Sequence, residues 1–155
     1  MKPGKESTPR KAASKSSRRR SREFVLQALY QWQMSGDSAE VLEKQLREVK
    51  GFDKQDPAYF GALLRGVISV APQLEQKLKP FLDRPAKELS PVERGILLLA
   101  AYELTQRSDV PYKVVINEAV ELAKSFGGTD GHKYVNGVLD KLAAEARPAE
   151  IRARV

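Results

Sequence analysis

From residue 23 onward the apolar positions of this chain recur with a helical period. In "REFVLQALYQWQMSG" Val25, Ala28, Leu29 and Trp32 fall at i, i+3, i+4 and i+7, one face of a helix that Gly36 can stop. Val41, Leu42, Leu46 and Val49 predict a second helix ending at Gly51. A third is predicted from about Asp56 to Val70, with Pro57 in its first turn and Phe60, Leu63, Leu64 and Val67 facing inward. Leu74, Leu78 and Phe81 mark a shorter one over 72–82. The clearest start is "SPVE": Ser90 as N-cap, Pro91 at the first helical position and Glu93 in capping-box spacing, before the nearly all-apolar "GILLLAAYEL". That helix is expected to be central and buried. Ile116, Ala119, Val120 and Ala123 define the next, stopped at Gly127, and Val135, Val138, Leu139 and Leu142 the last. No period-2 strand pattern of useful length interrupts them. The fold class is all-α, about seven helices with short links.

Charge changes the picture at one end only. Residues 1–22 hold nine Lys or Arg and one acid, a net +8, whereas the remaining 133 residues sum to −1. A basic arm is therefore attached to a nearly neutral body. Residues 1–17 are rich in Ser, Lys and Pro, offer little to bury, and are expected to be disordered when free. An arm, residues 1–20, a helical domain over 21–146 and a tail over 147–155 is the expected organisation. The arm lacks the apolar face that a membrane surface needs, and "ILLLAAY", the longest nearly unbroken apolar run, is far too short to span a bilayer. No apolar signal-peptide core precedes it, so an intracellular protein is expected. Nucleic acid is the better partner for the arm. Arg18, Arg19, Arg20 and Arg22 lead into the first helix, and arginine both pairs with phosphate and stacks on unpaired bases, which favours single-stranded RNA.

The chain has no cysteine and one histidine, His132, in "SFGGTDGHKYVNGVLDKL". Ser125, Thr129 and Asp130 stand near it, so a nucleophile–histidine–carboxylate set is conceivable. Hydroxyls and acids at a helix start are also what N-capping calls for without chemistry. A phosphate loop fails, because His132 stands where the second glycine would be and Tyr134 replaces the hydroxyl. A helix start with Lys133 and Tyr134 remains, able to hold a phosphate and stack on a base, or to be a simple capped turn. No metal site, cofactor or catalytic residue is expected. On the first helix, Leu26 and Tyr30 form a second apolar stripe beside the first, which one helix can use for both a core and a partner.

Taken in order, "RRRSREFVLQALYQWQMSG", "ERGILLLAAYEL", "RSDVPYKVVINEAVELAKSFGG" and "DGHKYVNGVLDKLA" resemble the NusB transcription antitermination factor family over about residues 18–146. The resemblance implies two packed helical bundles and no catalysis. It implies binding to the boxA element of nascent ribosomal RNA leaders together with NusE, a small-subunit ribosomal protein, in the bacterial cytoplasm. With other Nus factors, that pair helps RNA polymerase resist termination. The family's arginine-rich start maps onto Arg18, Arg19, Arg20 and Arg22, with Gln27 beyond it. A second RNA-facing region maps onto Tyr112 and Lys113, and onto Asp130, Lys133 and Tyr134; the NusE surface maps onto Tyr30, Met34 and Glu93. Two alternatives remain: an RNA-binding module of an rRNA-modification system, and a structural helical dimer with a nonspecific basic arm.

Overall fold

A computed structural model describes the backbone of residues 3–153 and the side chains of residues 16–153. The expectations for Met1, Lys2 and the basic side chains up to Lys15 lie outside what is described. Eight α-helices follow one another: α1 (Pro3–Ser35), α2 (Ala39–Leu46), α3 (Pro57–Ser69), α4 (Ala71–Leu78), α5 (Pro91–Gln106), α6 (Tyr112–Phe126), α7 (Gly131–Ala146) and α8 (Pro148–Ala153). Short 3-10 turns lie at Phe52–Lys54, Lys79–Phe81 and Ala86–Glu88, and no strand occurs among the described residues. The backbone divides into two compact units, residues 1–65 and 66–155.

In the N-terminal unit α1 packs on α2. Val25, Ala28 and Leu29 are buried as the period predicts, and Leu26 joins them, leaving Tyr30 outside. The expected Leu26/Tyr30 stripe is thus split, because residues four apart drift round the helix and only the first lies within the buried sector. Phe52 stacks edge-on against Phe24 at 5.4 Å and Phe60 at 5.2 Å, an aromatic centre for the unit. Of the expected α2 stripe, Leu42 and Leu46 are buried, but Val41 and Val49 are exposed. The helix ends at Leu46, so Val49 falls in a turn outside the helical register. Glu43 is buried in their place, and Arg65 donates to both of its carboxylate oxygens at 2.9 and 3.0 Å. The helix carrying the arm begins at Pro3, well before the expected start. Proline suits a first helical position.

In the C-terminal unit α5 packs against α4, α6 and α7, and its residues from Gly95 to Ala101 are all buried. A helix surrounded on three sides has no face to give to water, which is why its sequence is apolar almost all round. Ser90 caps it, accepting from the Glu93 N–H at 3.1 Å. α6 buries Val115, Ile116, Ala119, Leu122 and Ala123, while the expected Val120 is only half-buried. α7 buries Val135, Val138, Leu139 and Leu142 as predicted. The helix expected over 72–82 ends early as α4, since Pro80 has no N–H to continue the ladder, and a 3-10 turn takes its place. Residues 148–153 of the expected tail form α8, packed on α7, and residues 154–155 lie outside the described residues.

Candidate nucleic-acid interface

Extending the buried stripe of α1 backward from Val25 by three, four and seven residues reaches Arg22, Ser21 and Arg18, and the structure turns these inward. Ser21 is fully buried, and its hydroxyl oxygen accepts from the Asp56 N–H at 3.1 Å and lies 2.6 Å from Gln55 Oε1. Asp56 in turn caps α3, accepting from the Tyr59 N–H at 3.1 Å. Arg22 retains 4% exposure and donates to the Tyr59 hydroxyl at 3.0 Å. The guanidinium of Arg18 lies 4.2 Å from the centre of the same ring, a cation–π contact, with its Nε buried and lacking a hydrogen-bond partner. Arg19 and Arg20 are exposed. The arginine run is therefore divided by helical geometry into two residues that pin α1 to α3 and two that face solvent. Of the four arginines expected at the RNA surface, Arg22 is turned into the protein, whereas Arg19 and Arg20 face solvent.

The outward side of α1 continues through Gln27 to Tyr30 and Met34, which are 44% and 55% exposed. One turn apart, they form a small open apolar patch next to the exposed arginines. The exposed residues of α1 thus pass from cationic to amphipathic along one helix.

In the C-terminal unit Asp130 sits at the N-cap of α7 in the left-handed region, φ 66°, and its side chain makes no capping bond. It pairs instead with Lys133 at 3.5 Å, both side chains exposed. The negative charge at this helix start comes from elsewhere: a Cβ on Gly131 would meet Glu93 Oε2 at 2.8 Å. A carboxylate there complements the helix dipole, and Gly131 supplies the room. The Gly131 and Lys133 N–H groups donate to the carbonyls of Gly128 and Asp130 at 3.0 and 3.1 Å. This start is largely satisfied from within, so a phosphate reaching it would meet side-chain cations before backbone donors. Ser90 makes its half of the capping box, and the carboxylate of Glu93, mapped to the partner surface, lies against Gly131 at the start of α7.

Tyr134 is half-buried, and its hydroxyl accepts from the Asp83 N–H at 3.2 Å. Burial pushes its phenol above the usual tyrosine range. Arg84 lies 4.9 Å from the centre of the ring and forks onto both carboxylate oxygens of Asp83 at 2.7 and 3.0 Å. That fork holds the Asp83 carboxyl below its ordinary value. Arg84 is the residue that sequence reasoning missed. Its run, "LDRPAKE", has no helical period to reveal a face, and only tertiary packing carries it to Tyr134. His132, at the second position of α7, is half-buried.

Tyr112 and Lys113 open α6, whereas Asp130, Lys133 and Tyr134 follow its end. Fourteen residues of α-helical rise separate the two ends by roughly 20 Å, so they are two edges of the unit rather than one cluster. Among the described residues no three or more His, Cys, Asp and Glu side chains converge to hold a metal ion, and no helix is long and apolar enough to cross a membrane.

These observations define an all-helical protein with one cationic–amphipathic helix surface and separate aromatic–cationic edges, the kind of surface that adaptor proteins offer to single-stranded RNA. A family model described as the NusB family matches residues 19–144. The transcription antitermination protein NusB of Ralstonia nicotianae is 58% identical over 144 residues, 93% of each chain. That of Nitrosospira multiformis is 60% identical over 134 residues, 86% of this chain and 85% of the relative. Among solved structures, T. maritima NusB superposes with a TM-score of 0.76 at 32% identity, covering 87% of this chain and 96% of that one. A crystal structure of the antitermination factors NusB and NusE in complex with dsRNA has a TM-score of 0.73 at 23% identity, covering 84% and 98%, a likeness of fold. The chain belongs to the NusB family.

Proposed function

We propose that this protein is a non-enzymatic RNA-binding antitermination factor of the bacterial cytoplasm. It binds the boxA element of nascent ribosomal RNA leaders together with NusE and, with other Nus factors, helps RNA polymerase resist termination. The observation that carries the reading is the outward side of α1, where Arg19 and Arg20 lead through Gln27 to the exposed Tyr30 and Met34. Cations suit an RNA backbone, and an open tyrosine and methionine suit a protein partner. Arg18 and Arg22 support this surface by holding α1 in place. Within the C-terminal unit, Lys113 and Tyr112 at one edge, and Lys133, Tyr134 and Arg84 at another, offer the same pairing of cation and aromatic ring to RNA. Relatives named for transcription antitermination at 58% and 60% identity agree with it.

Fluorescence anisotropy with labelled boxA-type RNA and a scrambled RNA, with and without NusE, tests the proposal. Selective binding that NusE tightens is expected. Equal binding to both RNAs, indifferent to NusE, reduces the arm to a nonspecific polycation.

Asp130 supplies a sharper measurement in the same assay. Its carboxylate repels phosphate and occupies Lys133, and asparagine tolerates the left-handed backbone it adopts. Asp130→Asn is expected to tighten boxA binding about threefold, the order expected for one charge several ångströms from a phosphate in water. Unchanged or weaker binding places RNA elsewhere.

A further inference from the structure

The family match ends at residue 144, yet the most heavily bonded side chain of the C-terminal unit comes after it. Arg147 is 8% exposed. Its Nε donates to the carbonyl of Leu104 at 2.7 Å, and one Nη donates to those of Glu103, Arg107 and Val110 at 3.1, 3.0 and 3.0 Å. The other Nη pairs with Glu150 Oε1 at 2.5 Å. The second oxygen of Glu150 accepts from the backbone N–H of Tyr112 at 2.9 Å. One ion pair thus holds the end of α5, the linker after it and the first residue of α6. Both charges have the favourable sign, a cation at a helix C-terminus and an anion at a helix N-terminus. Pro111, the residue before α6, offers no side-chain cap of its own, so Glu150 supplies one from a distance.

The residue carried on this first turn is Lys113, exposed and one position beyond Tyr112. We propose that Glu150 is a positioning residue for the Tyr112–Lys113 edge, so that the C-terminal segment sets RNA affinity without touching RNA. This rests on the reading of that edge as an RNA contact.

Electrostatics and positioning predict opposite signs, which makes the idea testable. Glu150 is an acid near the proposed RNA path, so its removal would tighten binding if charge alone mattered. If it positions Lys113, Glu150→Ala weakens binding of labelled single-stranded boxA RNA to the full-length chain by about fivefold, the order of one lost phosphate contact. Glu150→Gln, which keeps an acceptor for the Tyr112 N–H, restores most of that. In a Lys113→Ala background Glu150→Ala adds nothing, because the contact it positions is already gone. Unchanged or tighter binding by Glu150→Ala, or a full additional loss in the Lys113→Ala background, overturns the proposal. Lys113→Ala alone having no effect overturns the RNA reading of this edge and the proposal with it. Faster amide exchange at residues 112–114 in Glu150→Ala would then report capping alone. Should Glu150→Ala fail to fold, Glu150→Asp keeps the charge but loses reach and is expected to weaken binding about twofold, with equal affinity overturning the idea.

Discussion

Replacing Arg147 with alanine is expected to cost the C-terminal unit about 3 kcal/mol, the low end of the range for breaking a buried ion pair, because Glu150 keeps 29% of its side chain exposed. Four carbonyl oxygens lose a charged donor at once: Glu103, Leu104, Arg107 and Val110. Glu103 and Arg107 keep the Arg107 and Val110 N–H groups as donors, at 3.1 and 3.0 Å, so the loss falls chiefly on Leu104 and Val110. Glu150 is left with its carboxylate facing the vacated space, and the cation that offset the α5 dipole is gone. Urea denaturation followed by circular dichroism measures the loss. Arg147→Lys recovers little, because an ammonium cannot fork across several carbonyls. A cost under about 1 kcal/mol for Arg147→Ala would mean that water satisfies these carbonyls equally well.

The arginines of α1 are expected to separate into two phenotypes. Arg22→Ala removes a buried guanidinium that donates to Tyr59 and packs along α3, and is expected to destabilise the N-terminal unit by about 2–3 kcal/mol. Arg19→Ala with Arg20→Ala is expected to leave stability nearly unchanged and to lower the log–log salt slope of RNA binding by about 1.4, at roughly 0.7 per phosphate on a single strand. Four equivalent arginines would give a slope near −3 on the same scale; two outward ones give about half of that from this helix. Anisotropy titrations at several salt concentrations, beside thermal melts, distinguish the sets. A salt slope that falls in Arg22→Ala at unchanged stability would mean that Arg22 swings out to RNA.

The split was already present in the sequence. Arg18, Ser21 and Arg22 stand on the same helical period as Val25, Ala28 and Leu29. Read by residue type, the run is one basic motif; read by period, it is two faces. The same period identified the buried sides of α1, α3 and α7, because a helix that buries one side must repeat apolar residues every three or four positions whatever it packs against. Where the repeat was short, it misled: Val41 lies within α2 but on its exposed side, and Val49 falls beyond the end of the helix at Leu46.

Other features have no local signature. The tail after Ala146 reads as an appendage, because Arg147 and Glu150 are two charged residues among others until α5 and α6 come within reach of them. Arg84 lies in an aperiodic run and acquires its place only from the Tyr134 ring. The capping signal at Ser90 was correct, yet it could not show that the Glu93 carboxylate would face Gly131 across the fold.

By itself, then, the sequence determined the helices, their buried sides, the basic start and the family, since each rests on neighbours a few residues apart. Tertiary structure alone decided which distant groups the inward charges meet: the α5 carbonyls and Glu150 for Arg147, the Tyr134 ring for Arg84. A charge's role depends on the groups it meets, and those come from parts of the chain that local pattern does not connect.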